Sequence, residues 1–170
     1  ADSYHWVGLG AGYTKAQPLV QAGWAATGAG GLSTWIETYY PDDPIGIQPA
    51  GLTINQGDEI YLHVAFAANG SIGYHFIDYN TGINKYPTGQ VYSGMAPDGH
   101  VEWIPEKAGT SLANFGEVTF QQSYAGCAGS GWQALGSLAG LSSWVMRGVS
   151  NDILCSPSAV SSGTQFTKHM

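Results

Sequence analysis

The chain has 170 residues, enough for one domain that buries roughly 70% of the surface its unfolded form would expose, so no metal or disulfide staple is needed to hold a core. Charged residues are 10% of it, against about 25% in an ordinary soluble domain, and twelve acids face five bases. Lys15, Lys85, Lys107, Arg147 and Lys168 stand singly, which excludes the clustered cations that nucleic acid requires, and no apolar run reaches the 18 or so residues of a membrane span.

So few ionised groups leave few native ion pairs to lose when carboxylates protonate, and five Lys and Arg plus five His give at most +10 in acid. Tolerance of low pH is the expectation. Twenty-five glycines, ten tyrosines and six tryptophans, with short Val, Ile, Thr and Tyr runs between Gly, Asn and Pro, describe an all-β chain with many turns, hence a sandwich or barrel.

Taken in order, Tyr4 to Leu9 reads as a first strand. It ends at Gly8-Leu9-Gly10-Ala11-Gly12, which is no nucleotide loop because Tyr13 stands where the third glycine belongs. Pro18 to Trp24 is a second strand containing the uncharged polar Gln21, and 25–31 is a loop of small residues. In Leu32 to Pro41, alternation sets Trp35, Glu37 and Tyr39 on one face and Thr34, Ile36, Thr38 and Tyr40 on the other, before Asp42-Asp43-Pro44 breaks the strand. An acid between two aromatics suits a cleft wall, and equally an ordinary exposed face.

Leu52 to Asn55 and Glu59 to Ala67 read as a hairpin about Gln56-Gly57-Asp58, with Ile60, Leu62, Val64 and Phe66 inward and Glu59, Tyr61 and His63 outward. Asn69-Gly70-Ser71 is a formal glycosylation sequon at the next turn. Gly73 to Tyr79 is a strand ending at the turn Asn80-Thr81-Gly82, and 83–98 is turn-rich with a strand at Gln90 to Ser93. In Gly99 to Glu106, alternation groups His100, Glu102 and Ile104 against Val101 and Trp103, so Glu102 faces either solvent or a cleft. Pro105 interrupts that alternation, so Glu106 either turns outward into solvent or borders the same cleft as Glu102.

Asn114 to Ser123 is a strand; apolar residues at Trp132, Leu135, Leu138, Leu141 and Val145 are compatible with one short helix; Val149 to Cys155 and Gly163 to Lys168 close the chain. No linker or repeat divides 1–170, which reads as a single domain. Cys127 and Cys155 suit either one disulfide of a secreted protein or two buried thiols. No Gly-x-Ser-x-Gly elbow and no close His pair exists, so neither a serine nucleophile nor a metal site is indicated, and no cofactor is called for.

Four segments, in order, resemble the glutamic peptidases, the eqolisin family. Trp6-Val7-Gly8-Leu9-Gly10 is similar to its Trp-Val-Gly-Ile-Asp; Leu19-Val20-Gln21-Ala22-Gly23 falls where its catalytic glutamine sits; Trp35-Ile36-Glu37 followed by Tyr39-Tyr40-Pro41 is similar to its Trp-Tyr-Glu and Tyr-Pro; and Glu102-Trp103-Ile104-Pro105-Glu106 is similar to its Glu-Trp-Ile-Val-Glu. Residues 113–120 and 156–167 resemble the strand after the catalytic glutamate and the closing strand. This chain departs from the pattern at Gly10, where the family has an acid, and the family's opening segment is missing.

The resemblance implies an antiparallel two-sheet β-sandwich, concanavalin A-like, and an acid-acting, secreted endopeptidase without cofactor. Its substrates would be polypeptides, and the opening segment would either be a separate light chain or be lacking in this protein. Glu102 would be general base and then acid, a role that an ordinary glutamate pKa of about 4.3 suits in an acidic medium. Gln21 would stabilise the oxyanion. Trp6, Trp35, Glu37 and Glu106 would line the cleft, the tryptophans as partly exposed subsite walls. An extracellular setting would permit a Cys127–Cys155 bridge. The alternatives, a lectin-like carbohydrate-binding sandwich or an inactive structural β-domain, share the fold and differ only in what they retain or cleave.

Overall fold

The computed structural model describes residues 2–10, 18–27, 29–39, 46–67, 69–89, 99–108, 112, 115–127, 131–143, 145–147, 150–151 and 153–169. The expected strand break at Asp42-Asp43-Pro44, Tyr40 and Pro41, the strand at Gln90 to Ser93, and Asn114 lie outside these residues. The described part is all-β and antiparallel, and by its internal contacts the chain divides into two compact units, residues 1–108 and 109–170.

The first unit holds a five-stranded sheet in the order β4-β3-β2-β1-β8, made of β1 (Asp2–Leu9), β2 (Leu19–Ala26), β3 (Leu32–Tyr39), β4 (Gln48–Pro49) and β8 (Val101–Ala108). A three-stranded sheet, β5 (Ile60–Phe66), β6 (Ile72–Asp78) and β7 (Ile83–Lys85), packs against one of its faces. The core between them joins Val20, Ala22 and Ile36 to Ile72, Tyr74 and Phe76, with Ile60, Leu62, Val64 and Phe66 packed around it as alternation expects. Burying each such side chain contributes on the order of 1.5–3 kcal/mol. Polar pins cross the same core. The Tyr74 hydroxyl donates to the Glu37 carbonyl at 3.1 Å and meets Thr38 Oγ1 at 3.1 Å; burial pushes its pKa up to about 12.

Two elements differ from expectation here. Leu52 to Asn55 is not a strand: Leu52 and Ile54 are buried, and Leu52 exchanges hydrogen bonds with Thr34 Oγ1 instead, so β5 finds its hairpin partner in β6. Ile83–Lys85 forms β7, a strand hidden in sequence by its shortness and exposure.

The second unit contains a four-stranded sheet in the order β12-β13-β14-β9 and a hairpin of β10 (Tyr124–Cys127) with β11 (Gly131–Ala134); β9 is Glu117–Phe120, β12 Met146–Arg147, β13 Ile153–Pro157 and β14 Phe166–His169. Phe120 stacks on Phe166 with ring centroids 5.0 Å apart. Of the short helix compatible with 132–145, the described residues show one 3₁₀ turn and no α-helix. Trp132 lies in β11 and is 65% exposed, and only Leu135–Ser137 turns, as a single 3₁₀ turn. Gly140 takes positive φ, which bends the backbone where a helix would have to run on.

Nor is the expected disulfide formed: Cys127 ends an exposed hairpin strand, whereas Cys155 is buried in the interior of β13. Burial raises the Cys155 thiol pKa and so keeps it protonated.

Candidate active site

The face of the five-stranded sheet turned away from β5–β7 carries the candidate site, and strand register assembles it. Glu37 on β3 pairs with Gln21 on β2, Gln21 with Gly8 on β1, and Gly8 with Glu102 on β8, so these four residues form one row across the sheet. The next row is Trp35, Gly23, Trp6 and Ile104; the row beyond is Ser33, Ala25, Tyr4 and Glu106. Alternation puts all three rows on one face.

Glycine spaces both functional rows. Gly23 sits between the two tryptophans, where a Cβ would stand 2.2 Å from the His5 carbonyl oxygen and 2.7 Å from Trp6 Cβ, so no other residue fits. Gly8 sits between Gln21 and Glu102, whose backbones are two strand spacings, about 9.5 Å, apart. A Cβ there would meet Trp6 Cζ3 at 2.9 Å and Leu19 Cδ1 at 3.3 Å. The missing side chain lets the Trp6 ring and Leu19 pack over Gly8, so no third side chain stands in the row between amide and carboxylate.

A cleft of about 560 Å³ lies over this face, lined among others by Trp6, Gln21, Trp35, Glu37, Glu102 and Glu106. All six sequence-derived cleft residues are therefore gathered in one place. Pro105 does not turn Glu106 away. It lies within β8, at the end of the sheet, where a missing N–H is tolerated, and Glu106 stays on the face of Glu102 to accept a hydrogen bond from Trp6 Nε1 at 3.1 Å.

The tryptophans correct another expectation. Trp6 and Trp35 are 5% and 3% exposed, packed with Ala25, Tyr4, Leu19 and Ile104, so they are the cleft's foundation as well as its wall. Gln21, 6% exposed, donates from Nε2 to the Glu37 carboxylate. Among the described residues its Oε1 has no hydrogen-bond partner, and neither has Trp35 Nε1; buried polar atoms of this kind are normally satisfied by water or ligand. Burial raises the Glu37 pKa, the Gln21 hydrogen bond opposes that rise, and the charge of Glu106 adds to it.

Sequence reasoning missed the Gln21–Glu37 contact. The signal was there: β2 reads Leu-Val-Gln-Ala-Gly-Trp-Ala-Ala, the near-continuous apolar run of a strand covered on both faces, so its one polar side chain is buried and needs a partner. Tyr39 lines the cleft beside Glu37, and Tyr4, Leu19, Ile47 and Lys107, which were not singled out as its lining, do so too. Tyr4 was readable, two residues from Trp6 in an alternating strand.

The profile of the Peptidase A4 family matches residues 1–168. The structure is similar to that of aspergilloglutamic peptidase from Aspergillus niger, with a TM-score of 0.73 and 25% identity over 99% of this chain and 98% of that one. It is also similar to scytalido-glutamic peptidase solved with a peptide-based transition state analog, at TM-score 0.73 and 19% identity over 99% of this chain and 83% of that one. A third similar structure is SCP-B, a member of the eqolisin family in complex with the tripeptide Ala-Ile-His, at TM-score 0.69 and 18% identity over 99% and 82% of the two chains. No curated protein sequence matches the chain.

Proposed function

The chain belongs to the Peptidase A4 family and is a peptide hydrolase, and from that premise we propose that it is an acid-acting endopeptidase working through Gln21 and Glu102. The observation that carries the proposal is the row Glu37–Gln21–Gly8–Glu102, with amide and carboxylate on either side of a residue that has no side chain. Glu102, as carboxylate, takes a proton from water as the water oxygen attacks the peptide carbonyl carbon. Gln21 donates its second N–H to the oxyanion that develops, while its first is held by Glu37, and Gln21 Oε1 accepts a hydrogen bond from the attacking water. Glu102 then passes its proton to the leaving nitrogen as the C–N bond breaks.

Trp6, Trp35 and Tyr4 supply the apolar walls against which a peptide lies, and Glu106, tethered by the Trp6 indole, borders it. In this reading the protein acts outside the cell. The mechanism is tested by cleavage of a denatured protein between pH 2 and 5. Glu102→Gln keeps the shape and loses the base, so it is expected to abolish cleavage with an unchanged unfolding midpoint. Full activity in that variant overturns the role of Glu102.

A further inference from the structure

The outer face of the three-stranded sheet, on the far side of the core from the cleft, carries a second arrangement with chemistry of its own. His63 on β5 and His75 on β6 are directly opposed in register. Their neighbours Leu62, Val64, Tyr74 and Phe76 point into the core, so alternation sends both imidazoles to the outer face. We infer that His63 and His75 form a chelating site for one divalent first-row transition metal ion, with Asn84 fixing the ring of His75.

Directly opposed residues of an antiparallel pair hold their Cβ atoms about 4.5–5.5 Å apart. Two imidazole nitrogens bound cis to one ion at 2.0–2.1 Å are about 2.9 Å apart, a separation that two rings on such Cβ atoms reach by rotation about their own side-chain bonds. The tautomer of His75 is set by its surroundings. Asn84 Nδ2 donates to the Gly82 carbonyl at 3.1 Å, which orients the amide so that its Oδ1 faces His75 Nε2 at 3.2 Å. An amide oxygen only accepts, so Nε2 carries the hydrogen and Nδ1 keeps its lone pair for a metal. Metal-binding histidines are commonly held in this way, through the nitrogen that does not bind.

Aromatic rings flank the pair: Tyr86 stacks on His75 at 4.2 Å and 13°, and Tyr61 meets it edge-on at 5.3 Å while lying 6.3 Å from His63. Among the described residues no third His, Cys, Asp or Glu side chain joins the pair, so water completes the coordination shell and affinity is expected in the micromolar range. Imidazole donors select Cu²⁺, Ni²⁺ and Zn²⁺ over Ca²⁺ and Mg²⁺, with Cu²⁺ held most tightly. The site is independent of the peptidase reading.

The test is titration of the full chain with Cu²⁺ alone at pH 7.5, followed by calorimetry and by electron paramagnetic resonance. One micromolar site showing nitrogen hyperfine structure from two imidazoles is expected, lost in His63→Asn and in His75→Asn and retained in His169→Asn. Asn84→Ala is expected to weaken binding by about 10-fold, as loss of an outer-shell partner does. Paramagnetic broadening in amide spectra of the unmodified protein locates the ion without any variant, and should centre on 61–65 and 73–77. Broadening centred elsewhere, micromolar affinity surviving in the His63→Asn/His75→Asn double variant, or no binding below millimolar Cu²⁺ overturns the inference.

Discussion

His5 makes the sharpest prediction about stability, and it runs against the acid tolerance that the sparse charge of the sequence suggests. Its side chain is fully buried between the sheets of the first unit, stacked on Trp24 at 4.0 Å with Nε2 3.1 Å from Ser3 Oγ, and burial lowers its pKa from 6.5 to about 4. The unfolded chain therefore takes up a proton near pH 6.5 that the folded chain refuses until about pH 4, and across that window stability falls as the pH falls. A shift from 6.5 to about 4, at 1.36 kcal/mol per unit, amounts to about 3 kcal/mol lost on going from neutral pH to pH 4. His5→Phe keeps a ring against Trp24 and removes the titration, at a cost of about 1–3 kcal/mol at pH 7 for stranding the Ser3 hydroxyl. Urea unfolding of both proteins, followed by tryptophan fluorescence between pH 7.5 and 4, should show the wild-type advantage shrinking and then reversing. Parallel curves over that range would refute a neutral, buried His5.

Glu37 has the opposite sign: its folded pKa is raised, so the folded state holds its proton more tightly and stability falls as pH rises through that pKa; Glu37→Gln should flatten the loss towards neutrality, measured as the difference in unfolding free energy between pH 4 and 7. Trp35→Ala should cost about 3–5 kcal/mol as well as activity, because the ring is nearly fully buried; a midpoint within 2 °C of wild type would show that the indole is only a wall. Gly8→Ala should destabilise by about 1–3 kcal/mol through its clash with Trp6 and depress kcat/KM more than Gln21-independent binding of a peptide product; unchanged kinetics would show that the gap between Gln21 and Glu102 is not used.

The single face of the cleft was legible because alternation is local: Trp35 with Glu37, and Glu102 with Ile104, follow from two-residue spacing alone. What brings these strands together is register, which depends on contacts between residues far apart in sequence. Gln21 shows the limit. Nothing in its own segment says that it stands opposite Glu37 on one side and Gly8 on the other. The segment 132–145 failed for a different reason. Its apolar spacing imitates a helix, yet Trp132 is exposed and Gly140 at positive φ redirects the chain, so turn chemistry overrode the period. The two tryptophans lie in the cleft lining and their burial was underestimated, since depth comes from packing with Ala25, Tyr4, Leu19 and Ile104 and, for Trp6, from its ring lying over Gly8.

The dyad is tested most directly by the pH–rate profile of Gln21→Glu. That substitution replaces a donor that is neutral at every pH by one that donates only while protonated, and sets a new carboxyl beside Glu37. Removing one oxyanion donor costs about 2.7–4 kcal/mol, or 100-fold to 1000-fold in kcat. The variant should therefore keep most of its residual activity at the acid end of the profile and lose it steeply as pH rises towards 5. A rate and profile matching wild type across pH 2 to 6 would contradict the assignment of Gln21 to the oxyanion.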